Sequence, residues 1–465
     1  MKFDADLVVI GAGSAGLSVA AGAVQMGANV VLIEGGLMGG DCLNTGCVPS
    51  KAMIEAARRV KSAASAEALG LNCKDASVNY DLVMQHVRST ISAIAPHDSQ
   101  ERFEKLGVRV IRGVAKFQSE RSVIVSGETI SARRIVIATG AKASVPKIAG
   151  LDRISYRTNE NFFENRDRPS HLIIIGGGPI GVELAQAHAQ LGIATTVIER
   201  SQILPKETGL TRDIIRGALL EDGVKLLEMA DIYKVESQGA TKMVHMSDGT
   251  VINGSHILVA TGRRANTDTL DLEKAGIEKS PVGIKVNPQL RTSNSKVYAI
   301  GDVIGEEQFT HVAGYHASLV VRSALFSLPA KRRTQHIPRV TYCDPEIASI
   351  GDISDDNGVE SYKVEYNALD RAIAGSRTLG YAQIWVKRGR VCGVTIVGAQ
   401  AGELIHFWSL VMAQNIKLSK VSSVIAPYPT LSDINKKLIG AYFTQRLFDN
   451  SKIKSFVKFI QRWVP

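Results

Sequence analysis

Two short glycine patterns, each opening directly from an apolar run, constrain the fold of this chain more than any other feature. Leu7–Ile10 runs into Gly11-Ala12-Gly13-Ser14-Ala15-Gly16, and Leu172–Ile175 runs into Gly176-Gly177-Gly178-Pro179-Ile180-Gly181. A helical stretch follows each, the first reaching about Met26, and then a strand that ends on an acid. In the first copy Asn29–Ile33 leads to Glu34; in the second the strand ends at Glu199. Gly11 and Gly176, Gly13 and Gly178, Gly16 and Gly181, and Glu34 and Glu199 are each 165 residues apart. A strand, a glycine turn, a helix and a second strand with an acid about 20 residues on form a dinucleotide-binding βαβ unit. The glycines let backbone approach a pyrophosphate, and the helix N-terminus stabilises its charge. One glycine turn alone is compatible with any α/β sheet. Two in the same register predict an α/β chain with two Rossmann-like domains.

Directly after the first unit comes Gly39-Gly40-Asp41-Cys42-Leu43-Asn44-Thr45-Gly46-Cys47-Val48-Pro49-Ser50-Lys51. Five residues turn an ideal α-helix through about 500°, which would leave the two cysteine side chains roughly 140° apart. A disulfide needs Cα atoms within about 7 Å, so the segment around Cys42 cannot be ordinary helix. Gly46 permits an unusual turn, and Pro49 suits the first turn of a helix starting just after Cys47. A thiol at a helix N-terminus, with the Lys51 cation one turn on, is set up to ionise. Three readings stand at this point: a redox pair, a metal site, or neighbouring thiols by chance. Two cysteines without nearby histidine or further cysteine make a poor zinc site, and no metal is expected.

The chain has 465 residues, which predicts two to four domains. Its net charge of +10 is not gathered into runs of five or more basic residues, and only 6% of residues are aromatic. That excludes a nucleic-acid partner and suggests a basic surface for anionic ligands or an anionic membrane. Cys42, Cys47, Cys73, Cys343 and Cys392 are too scattered for a secreted disulfide framework. Neither a signal-peptide core nor an apolar run of about 18 residues is present, so a cytoplasmic protein without a membrane span is expected. A cysteine pair in a reducing compartment is more readily explained by redox chemistry than by structure.

Two dinucleotide sites imply two dinucleotides. The economical assignment is FAD at the first site, beside the cysteines, and NAD(P)H at the second. Glu199 would repel a 2′-phosphate, and Gly181 points the same way, so NADH is favoured over NADPH; the nearby Arg200 and Lys206 oppose that preference.

With these residues in view, the chain resembles the FAD-dependent pyridine nucleotide–disulfide oxidoreductases, the group of dihydrolipoamide dehydrogenase, glutathione reductase and mercuric reductase. GGDCLNTGCVPSK is the most specific match. IATGA (137–141), VATGRRANT (259–267), VYAIGDV (297–303), YCDPEIASIG (342–351), LDRAIA (369–374), GAQAGELI (398–405) and YPTLSD (428–433) support it. The resemblance implies that Cys47 is the flavin-proximal, charge-transfer sulfur and Cys42 the outer thiol that exchanges with substrate. Lys51 would sit near the flavin and pair with Glu183. Asp302 would bind the ribityl chain, and Gly40, Ala115, Thr139, Gly140, Thr310 and His311 lie where the family contacts FAD. Gly262 would lie beside the nicotinamide dinucleotide. A Lys–carboxylate pair beside an isoalloxazine can stabilise its reduced, anionic form. The implied domains are an FAD domain of 1–146 with 266–335, an NAD(P) domain of 147–265, and an α+β dimerisation domain of 336–450 that completes the partner's active site. The Pro338 region reads as a linker.

In the lipoamide and glutathione enzymes the last domain carries a His-Pro-Thr motif, whose histidine is the general acid/base oriented by a following glutamate. Here Tyr428 stands in the histidine place and Asp433 in the glutamate place. A tyrosine with a pKa near 10 is a poor base at neutral pH, so little lipoamide turnover is expected. Tyrosine at this position and LDRAIA resemble the mercuric-reductase branch. However, no cysteine follows Cys392, and no metal-capture segment precedes the first glycine turn. Residues 451–465 form a basic tail in which Ile453, Phe456, Val457, Ile460 and Trp463 can share one helical face, with Lys452, Lys454, Lys458 and Arg462 elsewhere around it. Such a helix can lie on an anionic membrane surface or dock on its own dimer. The expected activity is passage of electrons from NAD(P)H through FAD to the Cys42–Cys47 disulfide and on to a thiol, disulfide or soft-metal acceptor. The alternatives are direct reduction of quinones or other small molecules, and a flavin-bound sensor with negligible turnover.

Overall fold

A computed structural model describes residues 3–71, 73, 77–354 and 358–464. They divide into two compact units. One holds the chain up to Pro205 together with Asp222–Arg332; the other holds Lys206–Glu221 together with the chain from Arg333 onward.

The first unit contains both dinucleotide folds. Strands Arg109–Arg112, Val30–Glu34, Ala5–Ile10, Glu128–Ile137 and Val297–Ala299 lie side by side in parallel. An antiparallel pair, Ser122–Val125 and Lys116–Ser119, extends the sheet beyond Glu128–Ile137. The central strands are runs of Val, Ile and Leu because the sheet is covered on both faces, and Leu7, Val8, Val9 and Ile10 are all buried. Helix Ser14–Gln25 packs against helix Thr310–Phe326 so closely that a methyl group at Gly22 would stand 3.3 Å from Val321 Cγ2. The second parallel sheet runs Val224–Leu227, Ala194–Ile198, His171–Ile175 and His256–Val259, with a three-stranded antiparallel sheet beside it. Strands Ala141–Ala143 and Arg263–Ala265 pair antiparallel where the chain leaves and re-enters the first fold.

The second unit is a five-stranded antiparallel sheet, Pro338–Thr341, Glu346–Gly351, Arg390–Gly398, Tyr381–Lys387 and Glu360–Glu365 in that order. Helices Ala401–Ala413 and Asp433–Phe443 belong to its core, joined by a hydrogen bond from Trp408 Nε1 to Asn435 Oδ1 of 2.8 Å. Helix Gly209–Glu221 packs here rather than with the second dinucleotide sheet, its Thr211 hydroxyl 2.8 Å from that of Tyr381. Pro338, expected in a linker, instead opens an edge strand, where its missing N–H leaves no ladder position unfilled. The tail forms the helix Ser451–Ile460, capped by Asn450, and none of its side chains is buried. Among the described residues no helix is long and apolar enough to cross a membrane.

Candidate active site

The two glycine turns are built alike to the level of single hydrogen bonds. In the first, Glu34 at the end of its strand accepts from the amides of Ala12 at 2.6 Å and Gly36 at 2.5 Å. In the second, Glu199 accepts from the amides of Gly177 at 2.7 Å and Ser201 at 2.8 Å. Each acid is thereby held at the mouth of its turn. Gly16 and Gly181 each bring a helix against the turn: a Cβ would stand 1.8 Å from Gly11 O at the first and 2.0 Å from Gly176 O at the second. Pro179 and Ile180 open the second helix, where an N–H is not needed. Gly262 follows strand His256–Val259, and its carbonyl accepts from the Ser144 amide at 2.9 Å.

The cysteine segment lies directly against the first turn. Gly39 donates to Ala12 O at 2.9 Å, and a Cβ on Gly40, whose φ is +59°, would meet Gly13 Cα at 2.7 Å. Cys42, in a segment expected not to be ordinary helix, lies in the five-residue helix Gly40–Asn44. The helix is too short to carry the two cysteines apart, because Thr45 and Gly46 break it before Cys47 opens the helix Cys47–Ser65. Asn44 holds the break in shape by donating to Met38 O and Gly40 O at 3.0 and 2.8 Å. Pro49 sits in the first turn of the second helix, as anticipated.

Both sulfurs are free thiols, Cys42 half-buried and Cys47 exposed. The two thiols act on one another, and that interaction separates their acidities. Cys47 is lowered from 9.0 to about 6, chiefly because Cys42 donates to it, with further help from Thr310 and the Lys51 charge. Cys42 is raised, because its proton is held in that same bond and because it is desolvated. The Thr310 hydroxyl, at the N-terminus of Thr310–Phe326, stands 3.4 Å from Cys47 Sγ. Ser14, at the start of the first dinucleotide helix, acts in the opposite direction on Cys42 and favours its ionisation. His311 follows Thr310 and stacks on Phe309 with ring centroids 5.3 Å apart.

Lys51 Nζ lies 2.9 Å from Glu183 Oε2, the carboxylate being nearly fully buried. The two helices are also tied ten residues further on, where Lys61 pairs with Asp222 at 3.0 Å and Gln186 and Gln190 donate to the same carboxylate. Asp41, Asn159 and Arg263, which sequence reasoning did not single out, complete the site. Asp41 accepts from Thr45 Oγ1 at 2.5 Å and Asn159 Nδ2 at 3.0 Å, and pairs with Arg263 at 2.8 Å. Arg263 also donates to Ala141 O at 2.9 Å and lies 3.7 Å from Asp302. Burial raises the Asp302 carboxyl, with Arg263 opposing. The available signal was adjacency, since Asp41 precedes Cys42 and Arg263 follows Gly262. Thr139 and Gly140 close this side of the site through bonds to Asn266, and Ala115 is buried within the first core.

Comparison with known proteins agrees with this geometry. Residues 5–317 match the family model described as pyridine nucleotide-disulphide oxidoreductase, and residues 337–439 match its dimerisation domain. The chain belongs to the pyridine nucleotide-disulphide oxidoreductases. A mercuric reductase of Lysinibacillus sphaericus is 33% identical over 92% of this chain and 81% of its own length. A dihydrolipoyl dehydrogenase of Bacillus subtilis is 30% identical over 92% and 96%. Among solved structures, a Cu(II) complex of the HOCl-induced flavoprotein disulfide reductase RclA from Escherichia coli superposes with a TM-score of 0.83 at 25% identity, covering 92% of this chain and 98% of that one. LpdA from Mycobacterium tuberculosis gives 0.86 at 25% identity, over 93% and 99%.

As a member of this family the protein is an FAD-dependent NAD(P)H disulfide oxidoreductase, and the matched dimerisation domain supports a homodimer. The residues present fit both cofactors. Each turn offers glycine backbone at a helix N-terminus with an acid fixed beside it. At the oxidoreductase's first site, the Arg263 Nε is buried and has no partner among the described residues, next to the Asp302 carboxylate. FAD, when bound, takes two electrons from NAD(P)H and delivers them to the cysteine sulfurs. Tyr428 is exposed and its hydroxyl donates to Asp370 Oδ2 at 2.8 Å, so the carboxylate engaging it is Asp370 rather than the expected Asp433. That bond raises the tyrosine pKa further, away from any use as a base. Asp433 begins its helix and faces Lys437 at 3.8 Å. Among the described residues no cluster of three or more His, Cys, Asp or Glu side chains is arranged to hold a metal ion.

Proposed function

We propose that this oxidoreductase reduces a disulfide or a thiophilic metal ion at Cys42, using NADH in preference to NADPH. What carries the reading is the placement of the two free thiols, set against the first glycine turn with Cys47 opening a helix and the Lys51 cation one turn on. In the reduced enzyme the Cys42 proton passes to Cys47, and the Cys42 thiolate attacks a disulfide acceptor. One acceptor sulfur leaves as a thiolate and takes the proton from Cys47. The Cys47 thiolate then attacks Cys42 and expels the second acceptor sulfur as a thiolate, which takes a proton from water, and the Cys42–Cys47 disulfide is restored. The two sulfurs together suit a soft cation equally well, in keeping with the mercuric reductase relatives and the Cu(II)-bound RclA structure. Lys51, oriented by Glu183, supplies a fixed positive charge beside the first site. Asp302, Thr310, His311, Thr139, Gly140, Gly40, Gly13 and Ser14 hold FAD, and Gly178, Pro179, Glu199 and Gly262 hold the nicotinamide dinucleotide. The Tyr428 segment completes the partner's active site in the homodimer, by shape rather than by proton transfer. The compartment is a reducing cytoplasm. An acceptor panel of lipoamide, oxidised glutathione, Hg(II), Cu(II) and quinones, run with NADH and NADPH, tests this. Turnover of a thiol-reactive acceptor that disappears in Cys42→Ser supports it; undiminished turnover in that variant overturns it.

A second reading, quinone reduction at a membrane surface, is favoured by the tail. Phe456, Phe459 and Trp463 are all more than half exposed, and Lys452, Lys454, Lys458 and Arg462 surround them. Flotation of full-length and tail-deleted protein with anionic and neutral liposomes decides it. Binding confined to the full chain and to anionic vesicles is expected, and failure of both proteins to float ends it.

A further inference from the structure

We propose that Asp41 and Arg263 form a positioning pair that fixes the Cys42 turn and sets how readily Cys47 ionises. The inference rests on the redox role given above to the two cysteines. Asp41 is the point at which the turn is tied to three segments: its own Thr45, Asn159 at the start of the helix Asn159–Phe162, and Arg263 on the strand Arg263–Ala265. Asn159 is buried and Arg263 only 13% exposed, so the anchor is not a loose surface contact. The planar guanidinium spends one terminal nitrogen on Asp41 and the other terminal nitrogen on the Ala141 carbonyl, with Asp302 beyond it. A fork of this kind transmits orientation as well as charge.

The charges place two opposed influences on Cys47. From its own helix comes Lys51, paired with Glu183. The Cys42 turn contributes the Cys42 proton and the Asp41 carboxylate. From Thr310–Phe326 come the Thr310 hydroxyl and the helix N-terminus, with His311 adjacent. Asp41 opposes the thiolate while Lys51 favours it. Arg263 moderates Asp41, and Asp302 draws part of that same cation away. Loss of the Asp41 charge therefore leaves Arg263 to favour the thiolate, and loss of Arg263 leaves two carboxylates that oppose it.

The test is the pH dependence of Cys47 alkylation in the reduced, flavin-containing protein, read site by site by mass spectrometry. Asp41→Asn should move the midpoint down and Arg263→Met should move it up, each by less than loss of the Cys42 donor does, since Asp41 is the weakest of the influences on Cys47, and the double variant should return close to wild type. Arg263→Lys, which keeps the charge and loses the fork, should leave the midpoint in place while weakening protection of Cys42. Flavin content and melting temperature identify any variant that fails to fold. Should the Arg263 variants not fold, Asp41→Asn alone decides, with a fall supporting the pair. No shift, a rise, or shifts of the same sign in both single variants would overturn it. Because the readout is thiol ionisation without an acceptor, its failure is separable from that of the proposed acceptor chemistry.

Discussion

Replacing Cys42 by alanine removes the donor that does most to keep Cys47 ionised. The two sulfurs share one proton, and that bond is the largest influence lowering Cys47 from 9.0 to about 6. A hydrogen bond to a charged acceptor is worth about 1.5–3 kcal/mol. One pH unit corresponds to about 1.4 kcal/mol, so the Cys47 midpoint in Cys42→Ala should rise by about one to two units. It should not reach the ordinary thiol value, because Thr310 and Lys51 remain. Cys42→Ser keeps an O–H donor, which is stronger than S–H, and should shift the midpoint far less than alanine does. The assay is ultraviolet thiolate absorbance against pH in the prereduced protein. The same shift has a sign in stability. A thiol whose pKa is lowered on folding stabilises the folded state fully above the unfolded value, and that contribution is lost as pH falls through the folded one. The reduced wild type should therefore gain stability over reduced Cys42→Ala as pH rises from about 6 to the variant's own midpoint, about one to two units higher, and hold a constant advantage from there to 9.0. An unchanged or lower midpoint in Cys42→Ala, or equal shifts in the serine and alanine variants, would refute the reasoning.

Cys47→Ser should abolish the long-wavelength absorbance that follows two-electron reduction, together with acceptor turnover, while flavin content stays intact. Gly181→Ala places a methyl group 2.0 Å from Gly176 O and should raise KM for NADH without loss of bound flavin, since the flavin turn is a separate copy. Glu199→Ser removes a carboxylate fixed by the Gly177 and Ser201 amides and should lower the ratio of NADH to NADPH kcat/KM. Tyr428→Phe removes only the bond to Asp370. Loss of a general base costs about 100-fold or more in rate, and a far smaller effect on any lipoamide turnover is expected, with no change in the pH profile.

Much of the site was legible before any coordinates because its parts are local. A glycine turn, its strand and its helix occupy about 30 residues and obey steric rules that the residue types display. The repeat across 165 residues made the second copy readable from the first. The Lys51–Glu183 pair, at 2.9 Å, was reached through the family resemblance rather than through spacing, since 132 residues separate the partners. The short helix at Cys42 and the strand that Pro338 itself opens were not legible for a shared reason. Each depends on which neighbours lie alongside, Gly13 for the Cys42 turn and the strand ending at Gly351 for Pro338.

The amino-acid order by itself determined two nucleotide folds and a thiol pair placed just after the first of them. Backbone sterics and short-range hydrogen bonds act within a turn or two of the chain, and a sequence displays them directly. Lys51 was readable from its place one turn after Cys47, but only the tertiary structure decided which groups from elsewhere surround those thiols. Asp41, Arg263, Asp302, Asn159 and Thr310 come from five separate stretches, and electrostatic influence depends on distance through space, which chain position does not encode.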